Sequence, residues 1–410
     1  MTRLLRLLRA HAAAWLLVAA AEPCAALPPV TEEMLAPLTS AYMRAVKPGE
    51  QAELYRELFQ TVLERVHRSY PRDVDVPALI AEALKTIEPL EPQSGEPADV
   101  FSKSINAALA WLDPHSYYLD PQEQTSELSA LEGVSGGGVP VLSWSMEGEV
   151  LVLRLAKFTG AVSVAMEKAI AEAAAVRQPR GVVLDLRGNL GGAFRPAVRT
   201  ADAFLAGGEI ASMRGRNVAG WRTWQADPAE LLGGVPMVVL IDGGTASASE
   251  LVAAALQENG RATVMGQKSF GKGSVQAIVP LGAGKGALYL TTALFHGPSG
   301  RSVQLAGVGP DVELIATPEN RAWEWRREAD RAHALPGTDE PPPPKARVDE
   351  SRCAAPRQQG GRRKEEGGIS SQAKVDPALA CALVFLDAGG IDAFLTALDA
   401  VTQTNADTYR

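Results

Sequence analysis

Between Val150 and Leu294 the sequence alternates short apolar runs with longer amphipathic ones, and this alternation restricts the fold more than any other feature of the chain. Val150 to Leu155 and Gly181 to Leu186 read as buried strands, with Ala161 to Val176 as a helix between them. A helix near Pro196 to Leu205, a strand at Pro236 to Ile241 and a helix from about Ala248 to Glu258 continue the pattern. Further strands are expected near Ala262 to Met265, Val275 to Val279 and Ala287 to Leu294. The expectation is an α/β core.

The flanks have a different period. Tyr55, Leu58, Phe59, Val62, Leu63 and Val66 recur at the three-and-four spacing of a buried helix face, which Pro71 ends. Two more such faces run through Leu79, Ile80, Ala83 and Leu84, and through Phe101, Ile105, Leu109 and Leu112. The turn-rich stretch Asp113 to Leu119 closes this helical region, and the glycines of Gly133 to Gly138 separate it from the core. Pro341 to Pro344, two Gly pairs and a run of charges between Arg362 and Glu366 make Pro336 to Asp376 a disordered linker. Pro377 to Leu398 regains a helical pattern, broken at Gly389-Gly390, and should pack back on the core. The division is therefore residues 1–26 as a signal peptide, 27–132 as a helical N-terminal region, 133–335 as the core, 336–376 as the linker and 377–410 as a C-terminal helical segment.

The signal-peptide reading rests on Arg3, Arg6 and Arg9 before an apolar run from about Ala10 to Ala21, with a small-residue site at Cys24-Ala25-Ala26. Cleavage after Ala26 removes three arginines and one glutamate, moving the formal net charge from −8 to −10. The product is expected in the periplasm or secreted. Lys and Arg number 40 against 48 Asp and Glu, with no dense basic stripe, which argues against nucleic acid as a partner. No stretch approaches the roughly 20 apolar residues of a membrane-spanning helix, so no stable span is expected after cleavage. No His/Cys/Asp/Glu set has ligand spacing, and neither metal nor cofactor is implied.

The residues with chemical potential begin where the strand Met237 to Ile241 ends in Asp242-Gly243-Gly244-Thr245-Ala246-Ser247-Ala248-Ser249-Glu250 and a helix starts. A hydroxyl at a helix N-terminus meets unpaired N–H groups and the positive end of the dipole, which suits a nucleophile and the oxyanion that it creates. The same residues also satisfy a plain helix cap. The five histidines are scattered and form no Ser-His-Asp arrangement. A lysine in a strand-flanked turn is the other source of a base, and Phe270-Gly271-Lys272-Gly273-Ser274-Val275-Gln276 provides one. Lowering a lysine from about 10.4 to near 7 takes roughly 4 to 5 kcal/mol, within reach of burial.

Together these segments resemble the carboxyl-terminal-processing (tail-specific) serine peptidases, family S41, from about Tyr55 to Leu314. The resemblance rests on Leu112-Asp113-Pro114-His115-Ser116-Tyr117-Tyr118-Leu119, Gly181 to Gly192 with Asp185-Leu186-Arg187-Gly188-Asn189-Leu190-Gly191-Gly192, Thr245 to Glu250, Phe270 to Gly273 with Gln276, and Pro298-Ser299-Gly300-Arg301-Ser302. It implies a ClpP/crotonase-like α/β peptidase core. In it Ser247 is the nucleophile, Lys272 its neutral base and Gln276 the residue orienting the lysine, with backbone N–H groups of Ala248, Gly191 and Gly192 at the oxyanion hole. Asp185, Arg187 and Asn189 are expected to fix the glycine turn, Ser249 and Glu250 to hydrogen-bond the elbow, and Glu258 to occupy a supporting position where the family often has Asp. The implied activity is an exported serine endopeptidase acting on unfolded or C-terminal segments of polypeptides.

The chain departs from the family between Leu119 and Val150, where a substrate-capturing PDZ domain of about 80 to 90 residues is usual and only about 30 residues lie. The PDZ domain is expected to be missing, leaving recognition to the cleft, the N-terminal region or an adaptor protein. Two rival readings stand beside the peptidase. A non-catalytic homologue would bind peptides or scaffold a partner. Gly266 to Lys272 also has the glycine and lysine spacing of a phosphate-binding loop, but the residues after Gly273 read as a strand and not as a helix. Cys353 and Cys381 could form a disulfide in an oxidising compartment, or Cys381 could be buried and Cys353 free.

Overall fold

The computed structural model describes residues 29–132, 140–216, 220–316, 326–337, 340–354 and 376–408. The signal peptide, the Gly133 to Gly138 run and residues 355–375 of the expected linker lie outside the described residues.

Four helices open the chain: α1 (Glu32–Ala45), α2 (Glu50–Ser69), α3 (Val76–Ile87) and α4 (Pro97–Leu112). The expected face of α2 is buried from Leu58 to Val66, and α3 starts where Asp75 accepts the Ala78 N–H with a proline in its first turn. These helices share a core in which the rings of Phe59 and Phe101 lie 4.8 Å apart. The stretch Asp113 to Leu119 is more than a turn: Tyr117–Leu119 forms strand β1, followed by α5 (Pro121–Glu132).

The core proceeds through β2 (Leu142–Glu147), β3 (Val150–Leu155), α6 (Val162–Val176), β4 (Gly181–Asp185), α7 (Phe194–Asp202), β5 (Glu209–Gly215), β6 (Arg222–Gln225), β7 (Met237–Ile241) and α8 (Ala248–Glu258). It continues as β8 (Thr263–Gly266), β9 (Ser274–Pro280), β10 (Ala287–His296), β11 (Val312–Ile315), β12 (Ala346–Asp349) and α9 (Ser351–Ala354), and the chain ends in α10 (Pro377–Ala388) and α11 (Ile391–Thr408). Seven strands form one sheet in the order β12-β11-β8-β7-β4-β3-β2, parallel except for the antiparallel β2–β3 pair. Strands β1, β10, β5 and β6 form a second, antiparallel sheet to which β9 adds by pairing with β10. Because β1 pairs with β10, the N-terminal region is joined to the core by backbone hydrogen bonds.

A parallel sheet must be covered on both faces, and the strand residues divide accordingly. Leu151, Leu153, Val182, Leu184 and Val239 pack under α6, α7 and α8, whereas Val150, Val152, Val183, Val238 and Leu240 pack against α10 and Cys353. Leu184 and Leu240 are fully buried on opposite faces, and truncating either to Ala would cost about 2–5 kcal/mol. The linker reading fails over 346–354. There β12 pairs in parallel with β11, with Ala346 and Val348 turned inward. A four-residue edge strand just after a proline run carries too little period to show in sequence; it is defined by its partner. Cys353 and Cys381 are bonded to each other, so α10 is tethered to the β12–α9 segment.

Candidate active site

Strands β3, β4 and β7 all end at one edge of the parallel sheet, and the loops that leave them meet there. Leaving β7, Asp242 accepts the N–H groups of Gly188 and Gly244 on one oxygen, at 2.9 Å each, while the Thr245 hydroxyl reaches Leu186 O at 2.9 Å. Ala246 N–H and the Ser249 hydroxyl both donate to Asn189 O, at 3.0 and 2.9 Å. These bonds rivet the Ser247 elbow to the turn that follows β4. Ser247 itself sits at φ 57° and ψ −117°. Such a conformation costs a non-glycine residue about 1–3 kcal/mol and persists only where surrounding contacts over-determine it.

The glycine turn is close enough that no side chain fits. A Cβ on Gly191 (φ 100°) would stand 2.8 Å from Ala246 O, and one on Gly192 (φ 137°) would stand 2.2 Å from Phe158 O. Asn189 holds this turn by donating to Leu155 O and accepting the Gly191 N–H, both at 2.9 Å. Gly191 N–H is thereby committed to Asn189 and does not face the cleft as the sequence reading expected. The bridge between Phe158 and the turn uses Gly191 O and Ala193 N–H, which leaves the intervening Gly192 N–H beside Ser247 and Ala248 on the wall of the same cleft.

Lys272 enters that cleft from the turn before β9. Its Nζ donates to Gln276 Oε1 at 2.6 Å and to Ser274 O at 3.2 Å. Burial pushes the Lys272 ammonium down to about 8, against the opposing pull of Glu328, Asp113 and Glu250 and with a smaller push from Arg331. Glu250 is fully buried at the start of α8 and joins the two halves of the site. Its Oε2 accepts the backbone N–H of both Ser247 and Lys272 at 2.8 Å, while Oε1 accepts Gly271 N–H at 2.7 Å and the Ser269 hydroxyl at 2.5 Å. Burial raises the proton affinity of this carboxyl, and those four donors resist the rise.

The cleft has a volume of roughly 830 Å³ and lies between the two sheets. Leu190, Phe194, Ile278, Tyr289 and Phe295 give it an apolar lining beside Ser247 and Lys272. Sequence reasoning missed the groups that surround the lysine. His115 lines the cleft, with Nε2 2.9 Å from both oxygens of the fully buried Glu328. Gln304 donates to Glu328 at 3.2 Å and accepts the N–H groups of Gly273 and Ser274. The Gln276 amide nitrogen reaches Thr291 Oγ1, which reaches Asp113. The only signal for these was the Asp113-Pro114-His115-Ser116 motif, quoted without a role.

The supporting residues divide. Asp185 pairs with Arg154 and Arg187, and Arg187 continues to Asp376, the cap of α10, at 2.6 Å. Glu258 is away from the cleft, holding the Pro298 to Arg301 turn through Ser299 N–H at 2.8 Å and Arg301 at 3.2 Å. Among the described residues no group of three His, Cys, Asp or Glu side chains could hold a metal ion. The phosphate-loop reading fails because β9, and not a helix, follows Gly273.

Residues 149–314 match the model of Peptidase family S41. Over those residues the chain is similar to peptidase family S41. It is 46% identical over 177 residues to the carboxy-terminal-processing protease of Bartonella bacilliformis, an alignment covering 42% of this chain and 41% of that protein. It is 36% identical over 166 residues to the chloroplastic C-terminal processing peptidase of Tetradesmus obliquus, covering 40% and 34%. The chain thus spans about two fifths or less of these curated relatives. The solved photosystem II D1 C-terminal processing protease shares the fold, with a TM-score of 0.50 at 21% identity over 65% of this chain and 93% of that one. The matched residues hold the glycine turn, the elbow and the lysine turn in this order.

Proposed function

We propose that this protein is an exported serine endopeptidase that cleaves unfolded or C-terminal segments of polypeptides through a Ser247/Lys272 acyl-enzyme. The observation that supports it most is the shared carboxylate. Ser247 and Lys272 each place a backbone nitrogen 2.8 Å from the same Glu250 oxygen, so nucleophile and base belong to one rigid unit although 25 residues separate them.

In this reading neutral Lys272 takes the proton from Ser247 Oγ as the oxygen attacks the scissile carbonyl carbon. The oxyanion receives the N–H groups of Gly192 and Ala248, the latter at the positive end of α8. Collapse breaks the C–N bond, with the proton passing from Lys272 to the leaving amine. A water deprotonated by Lys272 then releases the acyl group as a carboxylic acid and restores Ser247. Gln276 keeps the lysine aimed.

Between Leu119 and Val150 the described residues form only α5 and β2. Substrate choice is therefore assigned to the apolar cleft or to an adaptor protein rather than to a PDZ domain, and an extended chain is preferred because it can add to a sheet edge. Export is supported by the basic, apolar and small-residue order of residues 1–26. Among the described residues no single helix is long and apolar enough to cross a membrane. The test is a serine-directed acylating probe with mapping of the modified residue. Labelling at Ser247 that is lost in Lys272→Ala is expected; an unlabelled, folded protein that still binds peptides would be the non-catalytic homologue instead.

A further inference from the structure

The Gln276 amide can present either its oxygen or its NH2 group to Lys272, and only the oxygen helps a base. We propose that Asp113, in the N-terminal region and acting through Thr291, is a positioning residue that selects the productive orientation. This rests on the reading of Lys272 as the base and extends the site beyond the matched domain, since Asp113 lies 134 residues before Ser247 and outside 149–314.

The direction of each hydrogen bond follows from the first. A carboxylate only accepts, and Asp113 accepts from four donors. Its Oδ1 takes His115 N–H at 2.8 Å, Ser116 N–H at 2.9 Å and the Thr291 hydroxyl at 3.1 Å; Oδ2 takes the Ser116 hydroxyl at 2.7 Å. The single proton of Thr291 goes to Asp113, and Ser116 Oγ, 3.3 Å away, gives its own proton to Asp113 Oδ2 and accepts the Thr291 backbone N–H, so Thr291 Oγ1 accepts from the Gln276 amide nitrogen at 3.0 Å. The second amide proton goes to Ser274 Oγ at 3.1 Å. Oxygen is then the only face of the amide left for Lys272.

That outcome also aims the base. A neutral amine has two protons and one lone pair. Its protons go to Gln276 Oε1 and Ser274 O, so the lone pair takes the remaining tetrahedral direction, in the cleft that Ser247 lines. With the amide reversed, its NH2 would take the lone pair, and a protonated Lys272 would lose its best acceptor. Asp113 is 1% exposed and Thr291 0%, so water cannot take the place of either partner.

The charged groups facing Lys272 are Glu328, Asp113, Glu250 and Arg331. Thr291→Val removes the relay without altering any of them, which makes it a cleaner variant than Asp113→Asn. With an unfolded polypeptide substrate, Thr291→Val is expected to lose about 100-fold in kcat with KM within about threefold, and to move the acid limb of kcat/KM to lower pH. Thr291→Ser keeps the hydroxyl and should stay within about fivefold of wild type. Thr291→Val within about threefold of wild type would overturn the proposal, as would a loss with the acid limb unmoved, or an equal loss in Thr291→Ser. A second readout needs no turnover: in Ser247→Ala, the pH midpoint of Lys272 acetylation should fall when Thr291→Val is added, and an unchanged midpoint counts against the relay. An inactive wild type with an unlabelled Ser247 overturns the peptidase reading alone, because the acetylation midpoint still judges the relay.

Discussion

Ser247 is held by its own sequence neighbours and by the turn that ends the adjacent strand, whereas Lys272 is held by residues drawn from positions 113 to 328. The elbow needs β4, β7 and the start of α8, whose bonds run among residues 186–250. The lysine needs Asp113 and His115 from the loop after α4, Thr291 from β10, Gln304 from a later loop and Glu328 beyond it. The geometry of Ser247 is thus a property of strand, turn and helix. The proton affinity of Lys272 is a property of the assembled molecule, set by burial and by carboxylates that meet only when both sheets and the N-terminal helices are docked. Glu250 serves both halves, which the Phe270 N–H to Thr245 O bond at 3.0 Å also joins.

The most severe way to break this comparison is to remove one member of each half. Ser247→Ala and Lys272→Ala should each lower peptide hydrolysis by about 10³-fold or more without unfolding the protein, and Lys272→Arg should fail as well because a guanidinium cannot become a neutral base. Steady-state kinetics with a thermal-melt control decide it; Lys272→Ala within about tenfold of wild type would end the two-part mechanism. Next in size is the shared carboxylate. Glu250→Gln sets an NH2 group among donors and should cost about 1–3 kcal/mol of stability, together with roughly 100-fold in activity. A loss confined to stability would mean that the two halves are aligned without it.

A smaller, graded effect is expected from pH. The protonated amine cannot accept the Ser247 proton, so kcat/KM should rise about tenfold per unit up to about pH 8 and level off above it. A limb near 10 would mean that the docked surroundings do not act on Lys272. The smallest effect concerns the substrate. If no PDZ-type site captures its end, amidating the C-terminus of one unfolded substrate should change cleavage by less than about tenfold. A larger loss would show that carboxylate recognition persists.

The sequence by itself determined what local periodicity and local chemistry can encode. The strands β3, β4, β7, β9 and β10 and the helix α8 were legible because each combines a period with punctuation, and Ser247, Lys272 and Gln276 were legible because their turns are short and glycine-marked. Tertiary structure alone decided the edge strands β2, β6 and β12, and β5 between β10 and β6, which take their identity from a partner's backbone and not from their own composition. It also decided that Gly191 N–H is spoken for, that Glu258 stands apart from the cleft, and that His115, Glu328 and Thr291 surround the lysine. A buried polar side chain has no meaning until its hydrogen-bond partner is known, and here the partners are separated by as many as 213 residues.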